Sequence, residues 1–87
     1  MTFNLTRHAA EETARRSIPR EMLDAVLENP QQVVPAQRGK KAYQSQIRFA
    51  DGRMFLLRAI VDERMDPATV VTVYRTTKIR KYWRGEP

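Results

Sequence analysis

The spacing of hydrophobic positions divides the chain into a helical first third and an extended remainder. Thr6 can cap a helix that runs to about Arg16, because its side-chain oxygen can accept a hydrogen bond from the first turn. Pro19 suits the first turn of a second helix, which is predicted to run to Glu28. The apolar stripe of this second helix consists of Met22, Leu23, Val26 and Leu27.

Beyond Pro30 the period of the pattern changes to two, which is typical of strands. Four segments are predicted to be extended: residues 32–36, 41–50, 54–61 and 69–76. Asp51-Gly52 favours a two-residue hairpin loop, because a type I′ turn needs positive φ at both central residues. Counting outward from that loop predicts four facing pairs: Phe49 with Met54, Ile47 with Leu56, Ser45 with Arg58, and Tyr43 with Ile60.

The order of these elements predicts an α+β fold in one domain, residues 1–87. Two N-terminal helices are expected to pack on an antiparallel sheet of about four strands. The segment 54–61 is apolar on both faces except at Arg58, which suits a central strand covered on each side. A basic segment, residues 78–84, follows the last strand and is expected to form a short helix or an arm packed on the sheet.

Composition narrows the class of protein. A chain of 87 residues with 41% hydrophobic and 30% charged residues fits one folded domain rather than a disordered tail. The absence of cysteine excludes disulfides, thiolate nucleophiles and cysteine-ligated metal sites. Neither a signal peptide nor an apolar run long enough to cross a bilayer is visible in the sequence. A cytoplasmic protein without membrane contact is therefore expected.

The net charge of +6 is unevenly distributed along the chain. Residues 31–60 carry six basic side chains and one acidic one, and residues 75–87 carry five basic side chains and one acidic one. Residues 1–30 and 61–74 are slightly acidic. A positive field on the middle and the end of the chain favours a polyanionic partner, either a nucleic acid or an acidic protein.

His8 is the one side chain whose ordinary pKa allows proton exchange near neutral pH. The helical wheel places it on the polar face of the first helix with Glu11, Glu12 and Arg15, opposite Ala9, Ala10, Thr13 and Ala14. Glu12 lies one turn after His8 and could orient the imidazole. A solvated surface histidine is the alternative interpretation.

Arg58 interrupts the most apolar segment of the sequence. An unpaired charge buried in a sheet costs several kcal/mol, so this residue needs a partner or a ligand. One interpretation is an edge position or an ion pair with Asp62 or Glu63. The other is an arginine on a concave sheet face that holds a phosphate through its planar fork.

Cations alternate with aromatic residues from residue 72 to residue 84, a composition typical of surfaces where bases stack on rings and phosphates meet Lys and Arg. The same segment could equally be a strand end and a helix whose Tyr82 and Trp83 pack on the core. Other chemistries find no support. The three glycines are isolated, so a glycine-rich phosphate loop is absent, and one histidine with scattered carboxylates has no metal-ligand spacing.

Three blocks together resemble one known family. Leu5-Thr6-Arg7-His8-Ala9 with Arg16-Ser17-Ile18-Pro19 and Val26-Leu27-Glu28-Asn29-Pro30 resembles the opening of the domain-of-unknown-function family numbered 4258. Leu57 to Asp62 and Val71 to Tyr82 are similar to its other blocks. That family is similar to the RelE/ParE-type toxins and to the barnase–EndoU–colicin–RelE (BECR) group of ribonuclease folds. The resemblance implies helices on an antiparallel sheet, metal-independent RNA cleavage and a toxin–antitoxin setting.

The resemblance also implies roles for particular residues. It places the family's helix histidine on His8, its strand arginine on Arg58, and its terminal motif on Thr72, Tyr74, Thr77 and Lys78. Two positions depart from the family pattern. Glu12 stands where family members often have arginine, and Ser17 stands where they often have glycine. A carboxylate at position 12 would weaken phosphate binding beside His8.

The first functional hypothesis is a small toxin-type endoribonuclease that needs no metal or cofactor. His8, Arg58, Tyr74 and Lys78 are its candidate catalytic residues, and the candidate RNA-binding residues are Arg16, Arg75, Thr77, Arg80, Lys81, Tyr82 and Arg84. RNA, alone or on the ribosome, and a cognate antitoxin protein are its expected partners. The alternative hypothesis is a non-catalytic basic module that binds nucleic acid or an acidic protein.

Overall fold

The computed structural model describes residues 2–86, so the first and last residues of the predicted 1–87 domain lie outside the described part of the chain. The elements, in chain order, are β1 (Asn4–Leu5), α1 (Arg7–Arg15), α2 (Arg20–Glu28), β2 (Gln32–Pro35), a 3₁₀ turn (Gln37–Gly39), β3 (Lys41–Arg48), β4 (Met54–Asp62), β5 (Thr69–Thr76) and α3 (Ile79–Tyr82). The predicted α+β class is confirmed. No helix within residues 2–86 is both long enough and apolar enough to cross a membrane.

The sheet has five strands in the order β1-β5-β4-β3-β2, and the prediction of about four antiparallel strands is only partly right. β1 runs parallel to β5, whereas the other neighbouring strands are antiparallel. Two backbone hydrogen bonds flank β1, from the Asn4 amide to the Ala68 carbonyl and from the Thr6 amide to the Val70 carbonyl, each 3.0 Å long. The sequence pattern missed β1 because a two-residue strand is too short to show alternation.

Helix α1 begins and ends with recognisable caps. The Thr6 hydroxyl accepts a 3.0 Å hydrogen bond from the Ala9 amide, as the sequence predicts. At the other end the Ser17 amide donates to the Ala14 carbonyl and the Ile18 amide to the Thr13 carbonyl, which is the Schellman pattern. Ser17 has φ of 53°, in the left-handed region that favours glycine. Glycine, which has no Cβ, would adopt this geometry without strain.

Both long helices cover the same face of the sheet. The main hydrophobic cluster joins helix residues to strand residues that alternate along β4 and β5, namely Ala9, Ile18, Leu23, Val26, Leu27, Tyr43, Leu57, Ala59, Val61, Val70 and Val73. The predicted stripe of α2 is confirmed at Leu23, Val26 and Leu27, which are almost fully buried. We call this side of the sheet the helix face. Since successive side chains point to opposite faces, Arg58 lies on the other side.

The β3–β4 hairpin has a register one residue away from the predicted one. Arg48 faces Met54 and Gln44 faces Arg58, so Ser45 is not opposite Arg58. The Phe49 amide bonds to the Arg53 carbonyl and the Gly52 amide to the Phe49 carbonyl, so the loop has one residue more than a two-residue turn. A one-residue slip exchanges the faces that meet across a pair of strands. Arg58 therefore lies beside glutamines rather than beside Tyr43, Ser45 and Ile47.

The short helix α3 and the residues after it lie against the second face of the sheet. The backbone carbonyl of Tyr82 accepts a 3.1 Å hydrogen bond from the Gln44 amide group on β3. Further on, the Gln32 side chain on β2 bonds to both the carbonyl and the amide of Arg84, at 2.7 and 3.1 Å. The C-terminal segment therefore crosses from β5 to the opposite edge of the sheet.

Candidate functional site: a cationic groove on the second face

Arg58 is the centre of the second face and is only 7% exposed. Its Nε donates a 2.8 Å hydrogen bond to Gln44 Oε1, and its Nη1 donates a 2.5 Å hydrogen bond to the Tyr74 hydroxyl. The guanidinium carbon lies 4.2 Å from the centroid of the Tyr82 ring, within the range of a cation–π interaction. Three strands and the C-terminal helix thus fix the orientation of one guanidinium group.

All of these partners are neutral. Among the residues that the structure describes, no carboxylate lies within 4.0 Å of the Arg58 guanidinium, whereas six other cationic side chains form ion pairs with Asp or Glu. The neighbours anticipated from the sequence are engaged elsewhere, since Asp62 pairs with Arg64 and Glu63 pairs with Lys41. A buried cation without a counter-ion is costly, and an anionic ligand would supply the missing charge.

The guanidinium also retains donors for such a ligand. Hydrogen bonds occupy Nε and Nη1, but Nη2 has no partner within residues 2–86. Every buried side-chain nitrogen or oxygen in the described part of the chain has a hydrogen-bond partner. Because Nη2 has none, it is not buried and is accessible to a ligand. A planar arginine fork with a free amino group suits an oxygen of a phosphate.

Two glutamines connect Arg58 to the C-terminal segment. Gln44 is fully buried and accepts from Arg58 Nε, while its own amide group donates to Gln32 Oε1 at 2.9 Å and to the Tyr82 carbonyl. Gln32 in turn holds the backbone of Arg84. Because every member of this network has a partner, it rigidifies both the arginine and the segment that carries Tyr82.

Arg58 lines a groove with a volume of about 680 Å³. The lining residues come from the 36–40 turn, the middle strands and α3: Pro35, Ala36, Gln37, Arg38, Lys40, Arg58, Ile60, Val71, Thr72, Tyr74 and Tyr82. Three of them are cationic and none is acidic. We call this surface the Arg58 groove. Its positive charge, hydroxyl groups and apolar wall fit a nucleotide-like anion better than a metal or a hydrophobic ligand.

A β-bulge shapes one wall of the groove. Ile60 pairs with Thr72 and Val61 pairs with Val70, so Val71 is an extra residue on β5. The Thr6 hydroxyl at the start of α1 donates a 3.3 Å hydrogen bond to the Val71 carbonyl. Bulges of this kind redirect neighbouring side chains, here where Val71 and Thr72 line the groove.

The environments of Tyr74 and Tyr82 push their pKa values in opposite directions. Burial raises the pKa of Tyr74, although the Arg58 guanidinium opposes this shift. At Tyr82 burial also acts to raise the pKa, but the Lys81 ammonium, the Tyr74 hydroxyl and Arg58 together lower it below its ordinary value. The two rings meet edge to face, 6.2 Å between centroids. A pair of titratable groups separated in this way can divide the roles of proton donor and proton acceptor.

The structure brings some of the candidate site residues together. Arg58, Tyr74 and Tyr82 line the groove, as does Thr72 of the terminal motif. Five further candidates lie on or next to the C-terminal segment with exposed side chains, and none of them lines the groove: Thr77, Lys78, Arg80, Lys81 and Arg84. Lys81 approaches the groove most directly, with its Nζ 5.3 Å from the Tyr82 ring centroid.

Other candidates lie on the helix face. His8 and Arg16 belong to α1 and its C-terminal cap, and Ala9 beside His8 packs with Ala59 and Val73 in the main cluster. The His8 side chain is 63% exposed and its Nε2 lies 3.8 Å from Glu12 Oε1. The structure therefore does not bring His8 to Arg58 and Tyr74.

Arg75 is the third candidate that lies on the helix face. Its neighbour along β5, Tyr74, faces Arg58, so Arg75 points to the helix face. Its guanidinium carbon lies 4.4 Å from the Phe49 ring centroid and 4.6 Å from the Phe55 ring centroid. It covers the aromatic residues at the hairpin end of the sheet.

Glu12 was expected on the exposed face of α1, but it is only 8% exposed, while Ala10 and Ala14 are exposed. It forms ion pairs with Arg15 and Arg16. The Arg15 guanidinium, aided by Arg16 and opposed by burial, holds the pKa of Glu12 below its usual range. This carboxylate is neutralised locally and on the helix face, so its negative charge is separate from the groove.

Four residues of the groove lining and of the network behind it were not among the predicted site residues: Gln32, Arg38, Lys40 and Gln44. A signal existed for Arg38 and Lys40, since both belong to a basic turn, but nothing in that pattern showed which face the turn borders. The two glutamines carried no signal because their role depends on the observed hairpin register. Within residues 2–86 no cluster of three or more His, Asp or Glu side chains could hold a metal ion.

The fold and the groove define a small α+β domain with a buried, unpaired arginine on one sheet face. Comparison with known families gives one match, over residues 5–75, to a family described as "Domain of unknown function (DUF4258)". The chain belongs to this family. Searches of the curated proteins and of the solved structures found no match to the chain.

Proposed function

We propose that this protein is a small, metal-independent endoribonuclease of toxin type that binds RNA in the Arg58 groove. The observation that carries the proposal is the buried Arg58 guanidinium without a carboxylate partner, fixed at the bottom of an open groove between two tyrosines. RNA supplies the missing anion through its phosphates, and the rings offer stacking surfaces for its bases. We infer the toxin class from the sequence blocks that resemble family 4258, because that resemblance implies a likeness to the RelE/ParE-type toxins.

In this proposal Arg58 holds the phosphodiester that is cleaved. Its free Nη2 donates to a non-bridging oxygen, and its fixed position favours the pentacoordinate phosphorane, in which negative charge on those oxygens increases. The lack of a competing carboxylate matters, because an ion pair within the protein would have to break before the phosphate could bind. Lys81, beside the Tyr82 ring, adds positive charge near the same place.

The proposed reaction is an internal transfer at phosphorus. The ribose 2′-oxygen attacks the adjacent phosphorus while its proton passes to the Tyr82 oxygen and the Tyr82 hydroxyl proton moves to water. Lys81, Tyr74 and Arg58 lower the pKa of Tyr82 against the effect of burial, which favours this relay. The bond from phosphorus to the 5′-oxygen breaks, and that oxygen receives a proton from Tyr74. The products are a 2′,3′-cyclic phosphate and a free 5′-hydroxyl. The Tyr74 oxygen accepts from Arg58, so its own proton remains available for donation.

Thr77, Arg80 and Arg84 keep their predicted RNA-binding role as a proposal, because they extend a basic surface along which an RNA strand can continue. Lys78 was predicted as a catalytic residue, but it does not line the groove, so we propose it only as part of this basic surface. A cognate antitoxin is the proposed protein partner, and covering the groove with acidic side chains is its simplest mode of inhibition. For His8 the position on the helix face does not support the catalytic role that the sequence predicts, and we propose no such role for it.

The test is cleavage of a short 5′-labelled RNA by the full-length chain in the presence of EDTA, with and without ribosomes. We expect products that end in a cyclic phosphate, and a loss of at least about 100-fold in rate for Tyr82→Phe, which removes the proton acceptor. His8→Ala serves as the matched control on the other face and should retain the rate. A rate lost in His8→Ala but kept in Tyr82→Phe would contradict the assignment of the groove as the active site.

A second candidate function, a non-catalytic RNA-binding module, is favoured by one observation. No imidazole and no carboxylate of residues 2–86 lines the groove, so proton transfer there depends on tyrosines, whose ordinary pKa lies far above neutrality. Binding of RNA that requires Arg58, without cleavage either on or off the ribosome, would select this alternative. Absence of RNA binding would contradict both candidates.

A further inference from the structure

The turn that closes one end of the groove carries two cations in an unusual backbone setting. Arg38 has φ of 58° and ψ of 40°, and Gly39 follows with φ of 74°, so two consecutive residues occupy the left-handed region. Non-glycine residues are uncommon there, and those that occur are often found at functional sites. Both Arg38 and Lys40 line the groove that contains Arg58.

The turn is held rigidly. The Ala36 amide donates to the Lys40 carbonyl at 2.9 Å, and the Lys40 amide donates to the Gln37 carbonyl at 3.1 Å. On its outer side a Cβ at Gly39 would lie 3.2 Å from Arg64 Nη1, so the Arg64 guanidinium packs directly against the turn. The side chains of the turn therefore project from a closed and supported loop.

Neither cation of the turn is paired within the described residues. The Lys40 charge makes a minor contribution to the lowered pKa of Asp62, but Asp62 forms its ion pair with Arg64 through two hydrogen bonds of 2.9 and 3.0 Å. Arg38 and Lys40 form no ion pair within residues 2–86. The arrangement leaves two cations free at one end of the groove, with Arg58 free at the other.

The distance between the two cationic positions suggests how a ligand can span them. Lys41 pairs with Val61, and Arg58 lies three residues before Val61 on β4, so the turn lies about 10 Å from Arg58 along the sheet. Neighbouring phosphates of one strand of duplex DNA are separated by a rise of about 3.4 Å, and those of an extended strand by more. A single strand with about three phosphates can therefore contact both positions at once.

We propose that Arg38 and Lys40 form a second phosphate subsite, so that the groove binds a single-stranded segment with one phosphate at Arg58 and another, upstream or downstream, at the turn. This inference rests on the proposed function and makes it more specific, since it names single-stranded RNA of about four nucleotides as the minimal tight ligand. A duplex is disfavoured, because Arg58 is only 7% exposed and its phosphate must enter the groove.

The experiment measures binding of two non-cleavable probes to the full chain by NMR titration. The probes are a 2′-O-methyl dinucleotide with one phosphodiester and a 2′-O-methyl tetranucleotide with three, both of mixed sequence. We expect Arg38→Asn and Lys40→Gln to weaken binding of the tetranucleotide by about three- to tenfold and to leave the dinucleotide unaffected. Each change should also reduce the slope of log K against log salt by about 0.7 for the tetranucleotide. Arg58→Met should weaken binding of both probes.

Two controls separate charge from structure. Lys41→Gln removes the same charge one residue along, at a side chain that pairs with Glu63 outside the groove, and should leave both affinities unchanged. Asparagine tolerates the left-handed region, so Arg38→Asn should keep or raise the melting temperature while weakening binding. A merely structural role for Arg38 would make stability and binding fall together.

The possible results distinguish the two proposals. If Arg38→Asn and Lys40→Gln bind the tetranucleotide as well as Lys41→Gln does, while Arg58→Met still fails to bind, the second subsite is wrong and the proposed function stands. If the wild-type chain binds neither probe, the proposed function is wrong and the subsite with it. A tetranucleotide that binds no more tightly than the dinucleotide also contradicts the subsite.

Discussion

Glu12 on α1 and Arg58 on β4 are both buried charges, with 8% and 7% of their surfaces exposed, yet their surroundings are opposite. Glu12 is neutralised by Arg15 and Arg16, which belong to its own helix end. Arg58 has only neutral partners from β3, β5 and α3. A buried charge is compatible with a stable fold when a counter-ion is present. A buried charge without a counter-ion is a reason to expect an oppositely charged ligand.

The comparison also bears on the carboxylate at position 12, where the resemblance predicts an arginine. A carboxylate there weakens phosphate binding only if it faces the phosphate site. Glu12 lies on the helix face with two arginines, while the Arg58 groove lies on the second face without an acidic lining residue. The charge of Glu12 is thus neutralised on one side of the sheet, whereas the charge of Arg58 on the other side is not.

The largest expected effect comes from exchanging the two charges for neutral side chains. Arg58→Met should reduce RNA affinity by about 100-fold, because the phosphate loses its buried partner, and should leave the melting temperature unchanged or raise it. Glu12→Gln should do the reverse, lowering the melting temperature by a few degrees with RNA affinity unchanged, since it leaves two arginines unpaired. Thermal denaturation and RNA titration of both variants check this. Loss of affinity in Glu12→Gln would mean that the two sides are coupled.

A smaller effect on RNA affinity is expected when Arg58 receives a carboxylate partner, as Arg15 and Arg16 have in Glu12. Gln44→Glu places a carboxylate where the Gln44 oxygen now accepts a 2.8 Å hydrogen bond from Arg58 Nε. The new ion pair should reduce RNA affinity by about tenfold or more at low salt, with the fold retained. Gln46→Glu, on the same strand but half-exposed and outside the groove lining, is the matched control. Equal effects of the two changes would indicate a general charge effect rather than neutralisation of Arg58.

Acid should act on the helix face through Glu12. Folding lowers the pKa of the Glu12 carboxyl below its ordinary value of about 4.5. The contribution of Glu12 to the free energy of unfolding is therefore complete above pH 4.5, and it is lost as the pH falls through the lower pKa of the folded state. The stability difference between the wild type and Glu12→Gln should therefore shrink below about pH 4.5. Arg64 also lowers the pKa of Asp62, but Asp62 contributes equally to the stability of the wild type and of Glu12→Gln. Its contribution therefore cancels in this difference. Denaturant titrations at several pH values provide the measurement, and a difference that persists at low pH would contradict the assignment.

The smallest effect is expected at the end of α1. Ser17 adopts φ of 53°, so Ser17→Gly should stabilise the protein by about 0.5–1 kcal/mol through relief of backbone strain. RNA binding should not change, since Ser17 lies on the helix side and lines no part of the groove. Ala14→Gly, inside the same helix, is the control and should destabilise by about 1 kcal/mol. Chemical denaturation measures both, and a loss of stability in Ser17→Gly would show that the serine side chain itself contributes to the cap.

Much of the fold was predictable because the relevant interactions are local. The Thr6 cap, the proline at position 19 and the stripe of α2 act within one or two turns, and β-branched residues favour extended backbone wherever they lie. An anion-binding site was also partly predictable. A single arginine in an apolar strand needs a counter-ion or an anionic ligand, whatever the register of that strand. These features follow from the order of residues alone.

The composition of the groove was decided by tertiary structure. One extra residue in the β3–β4 loop determines that Gln44 and not Ser45 meets Arg58, and the sequence pattern cannot resolve loops that differ by one residue. The groove then joins the 36–40 turn to Tyr74 and Tyr82, which are more than 30 residues away in the chain. Such contacts depend on the packing of the C-terminal segment across the sheet. The sequence determined that Arg58 needs a counter-ion or a ligand. Only the fold surrounded it with neutral partners and left it open to an anionic ligand, because those partners come from strands and a helix that are distant in the chain.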